Sequence, residues 1–181
     1  MPIYKYRREE PLSREEIQNM IENVYDFGVK ALIVFLYLFG TRISEALKLV
    51  RSDFWIEGKY LAVKIPISKK RKSAGPTVPL HILRVSLDAP FIDILLKYLE
   101  TKGKNEKLWE YSRVKVWRII KKLNPNCSPH FFRHSRLRKL AEKGATEMVL
   151  MDWAGWSDPR PAGKYIVATG RFAKKYADKI D

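Results

Sequence analysis

The chain has 181 residues, of which 46% are hydrophobic and 12% aromatic, enough for the core of one globular domain and too much for a disordered arm. Its 35 lysines and arginines exceed its 20 acidic residues, which gives a net charge of +15. This excess favours a polyanionic partner, DNA or RNA. The charged surface of a thermophilic protein is the alternative, since Gln18 is the only glutamine, but ion-pair networks need both signs of charge.

Cysteine content and hydropathy indicate the compartment. Cys127 is the only cysteine, so the chain can build neither an intramolecular disulfide nor a cysteine-based zinc cluster. The longest apolar run, residues 31–39, is too short to span a bilayer and predicts a buried helix. We therefore expect a cytoplasmic protein that makes no membrane contact.

The first part of the chain predicts a linker, several helices and a group of strands. Residues 1–12 are charged and indicate a linker, and residues 13–181 are expected to form a single domain. Ser13 and Glu16 form a capping box at the start of the first helix. Helices are predicted over residues 13–27, in the run ending at Phe39 and over 42–50, followed by strands over 54–56, 59–66 and 77–80, with a basic loop at 68–75.

From Asp88 onward the pattern is helical. Ser128 is a good N-cap, and Pro129 suits the first helical position. Gly155 is expected to end the helix before it. Helices are predicted over residues 90–100, 112–123, 128–143 and 146–153, in a short segment bearing Tyr165, and from about Phe172.

Three short motifs carry chemical groups in a fixed order. They are Gly-Thr-Arg-Ile-Ser-Glu at 40–45, His-Phe-Phe-Arg-His at 130–134, and Gly155-Trp156, which Tyr165 follows nine residues later. Arginine offers a planar fork of donors that matches phosphate oxygens, and tyrosine can be a covalent nucleophile. Together these groups suit attack of a phenol on a phosphodiester.

The order and spacing of these motifs closely resemble the tyrosine recombinase family, which includes the phage integrases and the Xer-type recombinases, over nearly the whole chain. The resemblance implies a mainly α fold with a small antiparallel β-sheet (α+β), and it leads us to expect that the family's N-terminal DNA-clamping domain is absent. Within that pattern Tyr165 is the nucleophile, and the other catalytic residues are Arg42, His130, Arg133 and Trp156.

Each assignment has a competing interpretation. Trp156 stands where many family members carry histidine, and its indole N–H can still donate to a phosphate oxygen. Trp153 is expected to be a core residue. Tyr176 competes with Tyr165, but it lies too far past Trp156 for the pattern. His134 is expected to be structural, through a bond to neighbouring backbone.

The basic loop at residues 68–75 carries the last catalytic residue that the resemblance implies. Family members carry a lysine on a β-hairpin that protonates the departing 5′-oxygen. Here Lys69 and Lys70 are the two candidates for that general acid, and Lys69 is preferred. The loop cations are also expected to bind DNA phosphates; they are Lys69, Lys70, Arg71 and Lys72.

The resemblance implies a site-specific DNA recombinase, or integrase, that works through a 3′-phosphotyrosyl intermediate. No cofactor and no metal is required, since arginines supply the charge stabilisation. The partner is double-stranded DNA, with a homotetramer expected on DNA, a monomer when free, and a prokaryotic, archaeal, viral or plasmid origin. The alternatives are a type IB topoisomerase, which religates the original strand, and a DNA-binding module with a degenerate site.

Overall fold

A computed structural model describes residues 10–66 and 81–168. None of the helices in these ranges is long and apolar enough to cross a membrane. In chain order the elements are α1 (Arg14–Glu22), α2 (Phe27–Phe39), α3 (Ile43–Ala46), β1 (Phe54–Glu57), β2 (Tyr60–Ile65), β3 (His81–Ser86), α4 (Ile92–Glu100), α5 (Arg113–Leu123), α6 (Pro129–Glu142), α7 (Glu147–Ala154) and α8 (Arg160–Ala168).

The first helix, α1, begins as predicted and ends early. The Ser13 hydroxyl accepts the Glu16 amide at 3.1 Å, and the Glu16 carboxylate accepts the Ser13 amide at 2.9 Å. The predicted end at Phe27 is wrong, because Asp26 is already the N-cap of α2 and accepts the Val29 amide at 3.1 Å. An aspartate that caps the next helix cannot also lie inside the previous one.

Helix α2 is the centre of the domain. It is buried on almost every side and packs against α1, α4, α6 and β3, which agrees with its nearly continuous apolar sequence. Gly40 ends it in the left-handed conformation with φ +62°. A Cβ at Gly40 would lie 2.6 Å from the Cβ of Arg136 on α6, so a glycine is needed there for both conformation and space.

The third helix is a single turn, not the segment over 42–50 that the sequence predicts. Val50 forms a bridge with Lys107, and its amide donates to the Asp53 carboxylate at 2.9 Å. These contacts draw the chain out of the helix and into a 3-10 turn over Arg51–Asp53.

The strands form one antiparallel sheet in the order β1-β2-β3. Phe54 pairs with Val63 across the first hairpin, and Leu61 pairs with Val85 across the second pair. No strand was predicted over His81–Ser86, although Leu83 and Val85 are buried and Arg84 between them is exposed, as expected for a strand with one covered face. The strand predicted over 77–80 lies outside the described residues.

Two hydrophobic clusters meet at helix α6. Phe131 and Phe132 at its beginning pack into the large core around α2. The second cluster joins α6, α7 and α8 and consists of Leu137, Ala141, Leu150, Ala154 and Ala162. Trp153 packs against both clusters, as expected of a core residue, and its indole N–H donates to the Phe39 carbonyl at 2.8 Å. The predicted fold class, mainly α with a small antiparallel sheet, is confirmed.

Candidate active site

Arg42 is held by its own helix. It is the N-cap of α3, and its Nη1 donates to Oε1 of Glu45 at 2.7 Å. The side chain of Glu45 is 5% exposed and that of Arg42 is 41% exposed, so a buried carboxylate orients a guanidinium that still reaches solvent. The backbone amide of Arg42 donates to Oε2 of Glu45 at 2.9 Å. This amide is therefore paired within its own helix turn, and the guanidinium is the part of Arg42 that reaches solvent.

Arg133 is almost completely buried, with 4% of its surface exposed. Its Nη2 donates to the Ala154 carbonyl at 2.6 Å and its Nη1 to the Gly40 carbonyl at 3.4 Å, so it joins the carboxyl ends of α7 and α2. Those ends carry partial negative charge, which stabilises a cation. Burial, followed by repulsion from Arg42, lowers the pKa of Arg133 to about 10, so it remains protonated at neutral pH.

Trp156 lies just past the end of α7 and covers Arg133. Gly155 adopts φ +62° at the end of the helix, and the Trp156 amide donates back to the Met151 carbonyl at 2.8 Å. This turn brings the indole ring to 5.6 Å from the guanidinium carbon of Arg133. An aromatic face over a buried cation is a favourable contact that also fixes the plane of the guanidinium.

Tyr165 lies on α8 against both Trp156 and α6. Its ring stacks on Trp156 with centroids 6.0 Å apart and an angle of 25° between the planes. Its hydroxyl is hydrogen-bonded to Nδ1 of His134, and the centroids of the two rings are 5.7 Å apart. Trp156 therefore contacts both the buried arginine and the predicted nucleophile.

The two histidines of α6 lie side by side. His130 and His134 meet edge to face with centroids 4.6 Å apart. Burial, together with the charges of Arg133 and Arg42, lowers the pKa of His130, although one part of its surface is exposed. Burial, His130 and Arg133 lower the pKa of His134 to about 4, so His134 is neutral near pH 7.

A cleft of about 360 Å³ opens beside Tyr165. The cleft is lined by residues that precede α1, by residues on α6 and α8, and by Trp156. The lining includes Glu10, Phe131, His134, Arg138, Lys164 and Tyr165. Among the described residues no group of three or more His, Cys, Asp and Glu side chains could hold a metal ion. The predicted loop residues Lys69, Lys70, Arg71 and Lys72, the competing Tyr176 and the helix predicted from Phe172 all lie outside the described residues.

The structure thus gathers five of the residues that the sequence singled out, from α3, α6, α8 and the turn after α7. They are Arg42, His130, Arg133, Trp156 and Tyr165. Sequence reasoning missed the role of His134, because no spacing rule connects it with a tyrosine 31 residues away. Its position directly after an arginine that faces the site was the one available signal.

Comparison with known proteins places this fold among the catalytic domains of tyrosine recombinases. The structure titled catalytic domain of bacteriophage HP1 integrase aligns with a TM-score of 0.65 and 15% identity, and the alignment covers 96% of each chain. XerH site-specific recombinase bound to palindromic difH substrate aligns with a TM-score of 0.71 and 16% identity over 93% of this chain and 52% of that one. These likenesses define the fold.

The family follows from the sequence profile: the chain belongs to the phage integrase family, whose profile matches residues 10–170. The tyrosine recombinase XerD of Chlorobaculum tepidum is 28% identical over 140 residues, which cover 71% of this chain and 44% of XerD. The chain therefore spans about half the length of this curated relative.

Proposed function

We propose that the chain is the catalytic part of a site-specific DNA recombinase that cleaves and rejoins strands through Tyr165. The observation that carries this proposal is the position of Trp156, which stacks on the Tyr165 ring and covers the buried guanidinium of Arg133. Contact of one indole ring with both the proposed nucleophile and a buried cation supports their joint action on a single phosphate.

The two arginines would stabilise the charge that builds on the phosphate during attack. Arg133 is buried and therefore acts in a medium where water screens little of its field. Arg42 is more exposed and lies close enough to repel Arg133, so both can face the same oxyanion. Binding an anion between them would relieve this repulsion.

The bond changes balance without another reactant. The Tyr165 hydroxyl releases its proton to solvent as its oxygen forms a bond to phosphorus, the bond from phosphorus to the 5′-oxygen breaks, and a 3′-phosphotyrosyl link remains. The 5′-oxygen leaves with a proton, for which Lys69 or Lys70 is our proposed donor. Attack by a 5′-hydroxyl of another strand reverses these steps and joins DNA in a new arrangement.

Double-stranded DNA is the proposed substrate, and the surface charge supports it. Helix α5 contains no acidic residue and carries five cations, Arg113, Lys115, Arg118, Lys121 and Lys122. A helix so rich in cations suits the sequence-independent binding of phosphates. By its title, the similar XerH structure is bound to a DNA site, difH. Assembly as a homotetramer on two duplexes belongs to this proposal.

The test is formation of a covalent complex with a suicide DNA substrate, in which a nick lets the 5′ product diffuse away. We expect a protein–DNA adduct that survives denaturation, with the DNA on the peptide that contains Tyr165. Tyr165→Phe should form no adduct and keep its DNA affinity, since one hydroxyl is lost and the cationic surface remains.

Other outcomes would identify the alternatives. An adduct on the peptide containing Tyr176 would overturn the choice of nucleophile. An adduct on Tyr165 without strand exchange between two duplexes in a gel assay would favour a topoisomerase that religates the original strand. DNA binding without any adduct would indicate a binding module with a degenerate site.

A further inference from the structure

The bond between His134 and Tyr165 is separate from the phosphate-binding arginines and has no part in the function proposed above. It joins α6 to α8 at the reacting atom itself, because the atom held is the hydroxyl oxygen of the nucleophile. A tyrosine side chain has few internal degrees of freedom, so one contact at the ring and one at the hydroxyl fix its position. Trp156 supplies the first contact and His134 the second.

We propose that His134 is the positioning residue for Tyr165, with Nδ1 accepting the hydrogen bond of the hydroxyl and holding its oxygen beside Arg133. This inference rests on the proposed function and adds a residue to it. An acceptor at this place directs the O–H away from the phosphate and leaves oxygen lone pairs to face phosphorus. Orientation of this kind is a large part of what an enzyme supplies in such a reaction.

The protonation state of His134 determines whether its Nδ1 can accept the hydrogen bond of the Tyr165 hydroxyl. A neutral imidazole has one ring nitrogen with a lone pair, whereas both nitrogens of an imidazolium are donors. His134 stays neutral because it is buried and because His130 and Arg133 lie beside it. The other charged or titratable groups at the same cleft are Glu10, Arg138, Lys164 and Tyr165.

The same environment makes full proton transfer to His134 unfavourable. The pKa of His134 is about 4 and an ordinary phenol titrates near about 10, so the equilibrium opposes the transfer by about 10⁶-fold. Orientation of the hydroxyl requires no such transfer. The role is therefore positioning of the nucleophile and not general base catalysis.

The test compares His134→Leu, which removes the acceptor, with His134→Asn, whose amide oxygen can take the place of Nδ1. Single-turnover cleavage of the suicide substrate at saturating protein separates the rate from DNA affinity. We expect His134→Leu to cleave about 10²-fold more slowly with unchanged affinity, and His134→Asn to recover most of that loss. Ser135→Ala is the matched control, since Ser135 also lies on α6 and its replacement removes a buried 2.7 Å hydrogen bond from the Leu12 amide in place of the bond to Tyr165.

The pH profile separates positioning from mere packing. Wild-type cleavage should fall on the acid side as His134 becomes protonated, with the inflection shifted upward from about 4 because bound DNA phosphate favours the imidazolium. His134→Asn has no such group and should lose that inflection. A structural role alone would leave the profile unchanged.

Two results would overturn the inference. Cleavage by His134→Leu at the wild-type rate or faster would mean that the bond is dispensable or holds Tyr165 in a retracted position. Equal failure of folded His134→Asn and His134→Leu would exclude the acceptor role. The bond is also measurable without DNA, as a shift of the Tyr165 Cζ resonance in ¹³C-tyrosine-labelled protein, assigned with Tyr165→Phe. A wild-type protein that shows the bond but forms no adduct would contradict the recombinase function and leave the contact intact.

Discussion

The imidazole of His81 lies against Gly155, where a Cβ would meet two of its ring atoms at 3.1 Å. Nε2 of the same ring lies 3.1 Å from the Trp153 carbonyl oxygen. The first residue of β3 is thus joined to the turn that ends α7 and directs Trp156 towards Arg133. The position of Trp156 therefore depends on a contact between the sheet and the helices.

Gly155→Ala should disturb this contact and slow cleavage. The new methyl group would need both a left-handed backbone, at φ +62°, and space that His81 occupies.

Gly58→Ala is the matched control, because Gly58 has φ +56° with nothing within 4 Å of a Cβ. We expect each alanine to cost about 1–2 kcal/mol for its conformation. Gly155→Ala should cost about 1–3 kcal/mol more for crowding and alone should lower the cleavage rate. Equal stability losses in urea unfolding would contradict the role of His81.

Removal of the Glu45 carboxylate should slow cleavage by releasing Arg42. Glu45→Gln keeps the size of the side chain but loses the charge that faces Nη1 at 2.7 Å. A misplaced guanidinium can cost up to about 10²-fold in rate, and DNA affinity should change little because Arg42 itself remains. Glu106→Gln removes the carboxylate of the exposed pair with Lys102 at 2.6 Å and should leave the rate unchanged. Equal rates for Glu45→Gln and wild type would show that Arg42 needs no partner.

Arg133→Lys should cleave far more slowly than the wild type although it keeps the positive charge. A lysine ammonium is a point charge and cannot donate to the Ala154 and Gly40 carbonyls while presenting a flat cation to Trp156. Loss of such a preorganised donor typically costs about 10²–10³-fold in rate. Arg136→Lys provides the comparison, since Arg136 lies on the same helix but its guanidinium is 4.8 Å from the ring of Trp153 and not from that of Trp156. That variant should lose stability and retain cleavage, and a similar rate loss in both would make Arg133 a packing residue.

Local rules predicted most of the fold. Caps and breakers determined where helices begin and end, as at Ser13, Ser128 and Gly155, because these residues act on their own neighbours. The errors arose where distant contacts override local preference. Val50 was predicted to be helical, but it forms a bridge with Lys107, which lies more than fifty positions later in the chain. The strand over His81–Ser86 likewise depends on pairing with β2, which no local pattern states.

The contacts of the candidate site could likewise be predicted where the two residues are close in the sequence, and not where they lie on separate elements. Arg42 and Glu45 are three residues apart, and this spacing alone allows their ion pair to be predicted. The contacts that bring Arg133 to Trp156 and His134 to Tyr165 join separate helices, and motif spacing implied the first but not the second. Burial of Arg133 depends on packing between α2, α6 and α7 and cannot be obtained from residue order alone.

Acidification should destabilise the fold partly through His134. Its pKa is about 4 in the native state, and an unfolded histidine titrates near about 6.5. Between these values the unfolded chain binds a proton that the native state does not, so the free energy of unfolding falls as pH falls through that window. From about pH 7 to about pH 5 the contribution is of the order of 2 kcal/mol. Urea unfolding of His134→Asn should show a pH dependence weaker by this amount, and an unchanged dependence would place the titration elsewhere.

The leaving 5′-oxygen gives the sharpest test of the basic loop. An alkoxide is a poor leaving group because its conjugate acid has a pKa near that of water, about 15.7, whereas a thiol titrates near about 8.5. A strand with sulfur at the bridging 5′ position should therefore not need a general acid. Lys69→Ala should cleave ordinary DNA slowly and recover on the sulfur strand.

Arg133→Ala is the control for this rescue, because a residue that stabilises the non-bridging oxygens is needed whatever atom leaves. It should recover little on the sulfur strand. Rescue of Lys70→Ala in place of Lys69→Ala would move the acid by one residue. Rescue of neither would mean that these lysines only bind DNA, since a group that supplies no proton cannot be replaced by a better leaving group.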